Sequence, residues 1–268
     1  MSSLSDQELL HFARQVILPE IDEVGQAKLK QAQVTIFGVG GLGSAAALYL
    51  AAAGVGQLTL IDHDRVETSN LQRQIAHSLE SIGQSKVLSA AKRCQQLNPF
   101  VNITTINEPV DVNFNFNSIN SSDLLLDCLD NTATRRLVNR FSVTQQIPLL
   151  SASAVRFEGQ ISLYNNDPFA PCYDCVYQPL NSARNTLENK ATANDDDASS
   201  CFERGVVGPV VGVLGSMQAL ETIKVLTGCG TSISGKLLVF DGLHATWQTI
   251  NVSKKSDCPV CNQESNIS

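Results

Sequence analysis

Four cysteines fall into two Cys-x-x-Cys pairs, Cys172 with Cys175 and Cys258 with Cys261. Each pair has the spacing of half a tetrahedral thiolate zinc site, and a metal shared between them would pin the C-terminal tail to a distant loop. A closed four-thiolate shell leaves no open coordination position, so such a metal is structural. Two redox pairs, or idle core thiols, are the plainer alternatives. A second constellation is Gly38, Gly40 and Gly43, a G-x-G-x-x-G. Asp62 follows about 20 residues on, the arrangement that brings backbone close to phosphates and an acid to a ribose hydroxyl. A third set is dispersed: Arg14, Arg73, Lys86, Asp130 and Asn131. Arg and Lys offset triphosphate charge, and a carboxylate such as Asp130 holds the Mg²⁺ that accompanies ATP, although each alone reads as a solvated surface charge. Cys201 follows a polar stretch and precedes GVVGPVVG, where an exposed thiol near a helix start can react or sit idle. Cys94, Cys128 and Cys229 fall in or beside core elements, and His63, His77 and His244 share no metal or triad spacing. These residues alone fix only that something with a ribose and phosphates binds; NAD fits as well as ATP.

The elements around the glycines are the best defined. Val34 to Phe37 is a β-branched and aromatic run suited to a buried parallel strand, Ser44 to Ala53 an alanine-rich helix stopped by Gly54, and Leu58 to Ile61 a strand that delivers Asp62. Upstream, Ser5 to Glu8 is a capping box, and Leu9, Leu10, Phe12 and Ala13 predict an amphipathic helix carrying Arg14; a second helix runs near Gly25 to Gln31. The polar segment DHDRVETSNLQRQ after Asp62 is a loop at the carboxyl end of a strand, where open α/β sheets bind ligands. A helix over Ser85 to Leu97, strands at Val101 to Ile106 and Leu124 to Leu126, and a helix from about Thr132 to Gln145 continue the alternation. It lapses at Pro148 to Ala152 and Gly159 to Tyr164, two strands with no long helix between them, so a mixed sheet is expected. Asn181 to Ser200 is polar throughout and reads as a mobile loop of the kind that forms lids. Pro209 to Leu226 is a largely buried helix, and Lys236 to Phe240 with Thr246 to Val252 are antiparallel strands. The fold class is therefore α/β, a Rossmann-like nucleotide-binding fold with a mixed, partly parallel sheet and a structural zinc knuckle pair. One domain over 1–268 is expected, with a nucleotide-binding half at about 33–150 and a zinc-pinned half at about 151–262.

Composition narrows the function classes. A net charge of −7 argues against a general nucleic-acid or membrane-surface role. The start, MSSLSDQELL, has neither a basic nor an apolar leader region, and the longest apolar run, Val206 to Val225, is interrupted by Pro209, Glu221 and Lys224. A cytoplasmic location is the expectation, and with it cysteines used as ligands or thiols rather than disulfides.

Taken together, FARQVILPEID, GVGGLGSAAALYLAAAGVG, SNLQRQ, GQSKV, LLLDCLDNTATR, SASAVRFEGQIS, PCYDC, GVVGPVVGVLGSMQALETIK and CPVC resemble the MoeB/ThiF/HesA adenylyltransferases, bacterial relatives of ubiquitin-activating enzymes. These segments run from near residue 5 to Cys261 and so cover almost the whole chain. The resemblance implies that ATP adenylates the C-terminal glycine of a ubiquitin-like sulfur-carrier protein, reached through its Gly-Gly tail. Both reactants are anionic, so cations and alignment matter more than a general base. It further implies a nucleotide site of Gly38, Gly40, Gly41, Gly43, Asp62, Asp64, Ser69, Asn70, Leu71, Gln72, Arg73 and Lys86. Asp130 would hold Mg²⁺ beside Asn131, Arg14 would reach into the neighbouring subunit of a homodimer, and the four paired cysteines would hold zinc. RFEGQ and LPEIDEVGQ look like the molybdopterin branch, with a MoaD-like carrier, which is preferred; SASAV, GVVGPVVG and the FDG turn look like the thiamine-thiazole branch, with a ThiS-like carrier. Cys201 stands where that second branch has a cysteine able to form an acyl-disulfide. An NAD(P)-dependent oxidoreductase shares the glycine turn and Asp62 but gives no reason for Arg73, Lys86 and Asp130 together. A non-catalytic scaffold for ubiquitin-like proteins would have lost those residues.

Overall fold

Helices α1 (Asp6–His11), α2 (Ala13–Val16) and α3 (Asp22–Gln31) lead into strand β1 (Gln33–Phe37). There follow α4 (Gly41–Ala53), β2 (Gln57–Ile61), α5 (Lys86–Leu97), β3 (Asn102–Ile106), β4 (Leu124–Asp127) and α6 (Thr132–Gln145). The chain continues through β5 (Leu149–Val155), β6 (Glu158–Tyr164), α7 (Gly208–Thr227), β7 (Lys236–Asp241) and β8 (Thr246–Asn251). This computed structural model describes residues 4–165, 167–177 and 205–262. The expected loop over Asn181–Ser200 and the thiol of Cys201 lie outside the described residues.

The strands form one sheet in the order β3-β2-β1-β4-β5-β6-β7-β8. The first five positions are parallel and the last three antiparallel, the mixed sheet that the missing helix between β5 and β6 implies. Alternate side chains of the central strands serve two cores. Ile36, Leu60, Leu124 and Leu126 pack with α4, α5 and α7 on one face, while Phe37, Ile61 and Leu125 pack with Val138 and Phe141 of α6 on the other. Each fully buried side chain of this size contributes about 1.5–3 kcal/mol. The chain leaves β1 toward β2 on one side and later returns to place β4 on the other. The gap between the carboxyl ends of β1 and β4 is therefore a topological switch point, where such sheets bind ligands.

Two expectations need correction. The alanine-rich helix begins at Gly41, not Ser44, because Gly40 serves as its N-cap and the last two glycines of the turn lie inside it or at its edge. The N-terminal helix is broken at Phe12, whose φ of −98° and ψ of 13° end α1 before α2 carries Arg14. Phe12 is buried while Leu10 is 80% exposed, so the apolar stripe does not run through. Strand β8 pairs antiparallel with β7 as expected and is exposed along its whole length, with Trp247 and Ile250 both over two-fifths exposed. Its alternating pattern marks two largely open faces, one of them carrying the Trp247 ring 4.8 Å from that of Phe240. Among the described residues, α7 alone is long and apolar enough to cross a bilayer; half of it is buried, packed on α4, β5 and β6.

Candidate functional site

At the carboxyl end of β1 the chain must reverse into α4 within three residues, and Gly38 does so at a φ of +85°. A Cβ on Gly43 would lie 1.9 Å from the Gly38 carbonyl oxygen, so the turn closes onto the helix only because that side chain is absent. Gly40 offers no side-chain cap, leaving the first N–H groups of α4 without a side-chain acceptor and the positive end of its dipole toward the switch point. Asp62, just past β2, is held against this turn: its Oδ2 accepts from Val39 N–H at 2.7 Å and its Oδ1 from Asp64 N–H at 2.9 Å. Both oxygens keep a second lone pair for a ligand hydroxyl. His77, which sequence reading left unassigned, lies beneath the turn, with Nε2 3.2 Å from Val39 O and Nδ1 3.0 Å from Ser89 Oγ. Burial lowers its pKa below the usual histidine value, so it braces the turn as neutral imidazole.

Gly38, the start of α4 and Asp62 border a cleft of about 730 Å³. Gly38, Gly40, Gly41, Asp62, Asp64, Asn70, Gln72, Arg73, Lys86, Asp130 and Asn131 all line it. Lys86 is buried and donates to Asp64 Oδ2 at 2.7 Å, so it enters the cleft as half of an ion pair. Arg73 donates to Ser69 O at 3.0 Å, which fixes one nitrogen and leaves the guanidinium facing the cleft. Asp130 is exposed, and the Asn131 side chain caps α6 by accepting from Thr134 N–H at 2.9 Å. Gly43, Ser69 and Leu71 do not line the cleft: Gly43 packs under the turn, Ser69 Oγ lies 3.3 Å from Glu67, and Leu71 is half-buried away from it. Arg14 stands exposed on α2, also outside the lining. Cys201 falls outside the described residues.

Sequence reading missed the pair that supports this loop. Asp127 closes β4 fully buried, and Arg135 of α6 donates to its Oδ2 at 3.0 Å, to Ser151 Oγ at 3.0 Å, to Ala152 O at 2.8 Å and to Leu129 O. Asp127 Oδ1 accepts from Leu129 N–H at 3.1 Å. One buried ion pair thus fixes the segment between β4 and α6 on which Asp130 and Asn131 sit. The one hint was an acid ending an otherwise apolar strand, eight residues before an arginine on the following helix.

The four paired cysteines meet at the other end of α6. Sulfur separations are 3.9 Å for Cys172–Cys175, 3.6 Å for Cys172–Cys258 and 3.4 Å for Cys175–Cys261, and all four thiols lie within 4.8 Å of one another. Four thiolates at about 2.3 Å from a tetrahedral zinc would stand about 3.8 Å apart, so the donor set fits that ion. The Cys172 thiol and the Lys255 N–H hydrogen-bond to the Cys175 sulfur and lower its pKa, while the same contact raises that of Cys172, so the proton sits on Cys172 and the charge on Cys175. The remaining thiols Cys94 and Cys128 are core residues, and Cys229 is half-buried.

Comparison with known proteins agrees with this geometry. The ThiF family description matches residues 12–260. The molybdopterin-synthase adenylyltransferase of Escherichia coli K12 is 41% identical over 263 residues, 98% of this chain and all of that protein. The sulfur carrier protein ThiS adenylyltransferase of the same organism is 40% identical over 258 residues, covering 96% of this chain and 97% of the relative. The solved structure of E. coli MccB with AMPCPP and MccA superimposes with a TM-score of 0.74 at 22% identity, over 89% of this chain and 69% of that one, which supports the fold. The family match runs across the glycine turn at the switch point and across the SNLQRQ and DCLDN segments beside the cleft: the chain belongs to the ThiF family.

Proposed function

We propose that this chain adenylates the C-terminal glycine of a ubiquitin-like sulfur-carrier protein with ATP. A carboxylate oxygen of the carrier attacks the α-phosphorus, the bond to the β-phosphate breaks, and acyl-adenylate and pyrophosphate form. One observation carries the reading: the uncapped N-terminus of α4, Asp62, Arg73, Lys86 and Asp130 converge on one cleft at the switch point. An oxidoreductase needs a ribose acid and a glycine turn but has no use for this arginine, lysine and second carboxylate. In the proposed roles, Asp62 takes the ribose, the amides of α4 and Asn70 take phosphate, and Arg73 and Lys86 offset charge where it builds in the transition state.

Charge bookkeeping supports two further parts. Among the described residues that line the cleft, Asp62, Asp64, Glu67, Glu108, Asp111 and Asp130 face only Arg65, Arg73, Lys86 and Arg135 as fixed cations. A triphosphate entering a cleft richer in acids than bases needs added positive charge. Asp130 would hold Mg²⁺, and Arg14 would come from a second copy of the chain; Leu10 and Ile17, exposed on either side of it, supply apolar surface for that contact. The zinc of the four cysteines is structural, the zinc-pinned half at about 151–262 meets the carrier, and the enzyme works in the cytoplasm.

A MoaD-like carrier of the molybdopterin branch is the preferred substrate, supported by RFEGQ, whose Arg156 and Phe157 form the turn between β5 and β6 and whose last three residues open β6. The nearly equal likeness to a ThiS adenylyltransferase keeps a ThiS-like carrier as the second reading. ATP–pyrophosphate exchange with each purified carrier tests both. Exchange dependent on the MoaD-like carrier is expected; exchange with ThiS alone would move the enzyme to the thiazole branch, and exchange with neither would refute the reading.

A further inference from the structure

Asp174 lies between two of the gathered cysteines, yet its carboxylate is engaged with α6. Asn139 Nδ2 donates to Asp174 Oδ2 at 2.9 Å, and Arg136 Nε stands 3.3 Å from Asp174 Oδ1. The Asn139 carbonyl oxygen accepts from the Tyr173 backbone N–H at 3.0 Å. Asn139 is fully buried and Asp174 is 5% exposed. A buried amide in a helix interior is a poor choice for packing alone, since an apolar residue of the same size needs no partners. Here both ends of the amide address consecutive residues of the cysteine knuckle.

The same helix holds the nucleotide loop. Arg135, next to Arg136, ties α6 to Asp127, Leu129 O and Ala152 O, and Asn131 caps its start. From that cap to Asn139 is about 12 Å of continuous helix, a stiff connection at 1.5 Å per residue. One rigid element is therefore bonded at one point to the metal knuckle and at another to the loop that carries Asp130.

We propose that Asn139 and Asp174 are positioning residues that couple zinc in the cysteine knuckle to nucleotide affinity in the cleft. Zinc fixes Tyr173 and Asp174, these seat α6 through Asn139, and α6 sets the height of Asp130 and Asn131 over the glycine turn. The inference rests on the reading of the cleft as an ATP site. Coupling of this kind is reciprocal, so bound nucleotide tightens zinc by the same factor that zinc tightens nucleotide.

The first measurement uses the zinc-loaded wild-type chain and a fluorescent zinc chelator at equilibrium, with and without saturating ATP and magnesium in excess. ATP should raise zinc affinity about tenfold, within the usual range for coupled sites. No change, in a protein that binds ATP calorimetrically, overturns the coupling; failure of the wild type to bind ATP at all would overturn the site reading instead. The second measurement is ATP affinity in zinc-loaded variants. Asn139→Asp sets a carboxylate against Asp174 and should weaken ATP about tenfold while zinc stays at one per chain. The exchange Asn139→Asp with Asp174→Asn restores the hydrogen bond with donor and acceptor reversed, and should recover ATP affinity to within about threefold. Asn139→Ala, which merely removes the link, should abolish the effect of ATP on zinc. ATP affinity unmoved in zinc-loaded Asn139→Asp or Asn139→Ala would refute the role.

Discussion

Arg135→Met tests whether the Asp127–Arg135 pair holds the loop. The replacement keeps an unbranched side chain of comparable length in α6 but removes every donor. Asp127 would stay in a site with no exposure, its carboxylate left with only Ser151 Oγ at 2.6 Å and Leu129 N–H at 3.1 Å. The carbonyls of Leu129 and Ala152 would lose a partner as well. Breaking a buried pair from one side costs about 3–5 kcal/mol, because the remaining charge has no counter-ion. At about 2–4 °C per kcal/mol for a chain of this size, melting should fall by about 6–20 °C. Urea unfolding supplies the free energy, and isothermal calorimetry the ATP affinity of the folded fraction. Arg135→Met with Asp127→Leu removes both charges and should recover much of the stability, since apolar replacements of buried pairs are often neutral. It should not recover ATP affinity, because Leu129 O stays untied and Asp130 remains loose. A single Arg135→Met within about 1 kcal/mol of wild type would refute the account.

Arg73→Ala should lower carrier-dependent pyrophosphate exchange by about two to four powers of ten, equivalent to about 3–5 kcal/mol, with stability unchanged; near-normal exchange in the folded variant would remove Arg73 from the transition state. Metal analysis should find one zinc per chain, and a strong chelator should lower the melting temperature; metal-free protein with oxidised pairs would rule the zinc site out. His77 is buried with a lowered pKa, so the unfolded chain takes up its proton first as pH falls. The His77 contribution to stability should be constant well above about pH 6.5 and decline below it by at most about 1.4 kcal/mol per pH unit, so His77→Gln should lower the slope just below about pH 6.5. Cys201→Ser should leave exchange within about threefold, because forming the acyl-adenylate needs no thiol, while any reducible covalent complex with the carrier should vanish.

What could be read from the chain alone follows from which signals are local. The unit from Gln33 to Asp62 was readable because a buried strand, a glycine turn and a helix stop each have their own residue types within a few positions. The cysteine pairs were readable for the same reason: each half has the three-residue spacing that suits a tetrahedral metal, so halves 86 residues apart still announce themselves. The partners of Asp127 and Asn139 carry no such fixed spacing. An acid at a strand end and an asparagine inside a helix look like solvated residues until the fold brings Arg135 within 3.0 Å of one and Asp174 within 2.9 Å of the other. The exposed edge at β8 was hidden too, since alternation at Thr246 to Asn251 reports two distinct faces and not what covers them. The residues that line the cleft were thus mostly visible, and the atoms that hold them in place mostly were not. That difference is physical: a ligand selects residue types by chemistry, whereas a bracing pair requires only complementary groups, and those can arrive from anywhere in the chain.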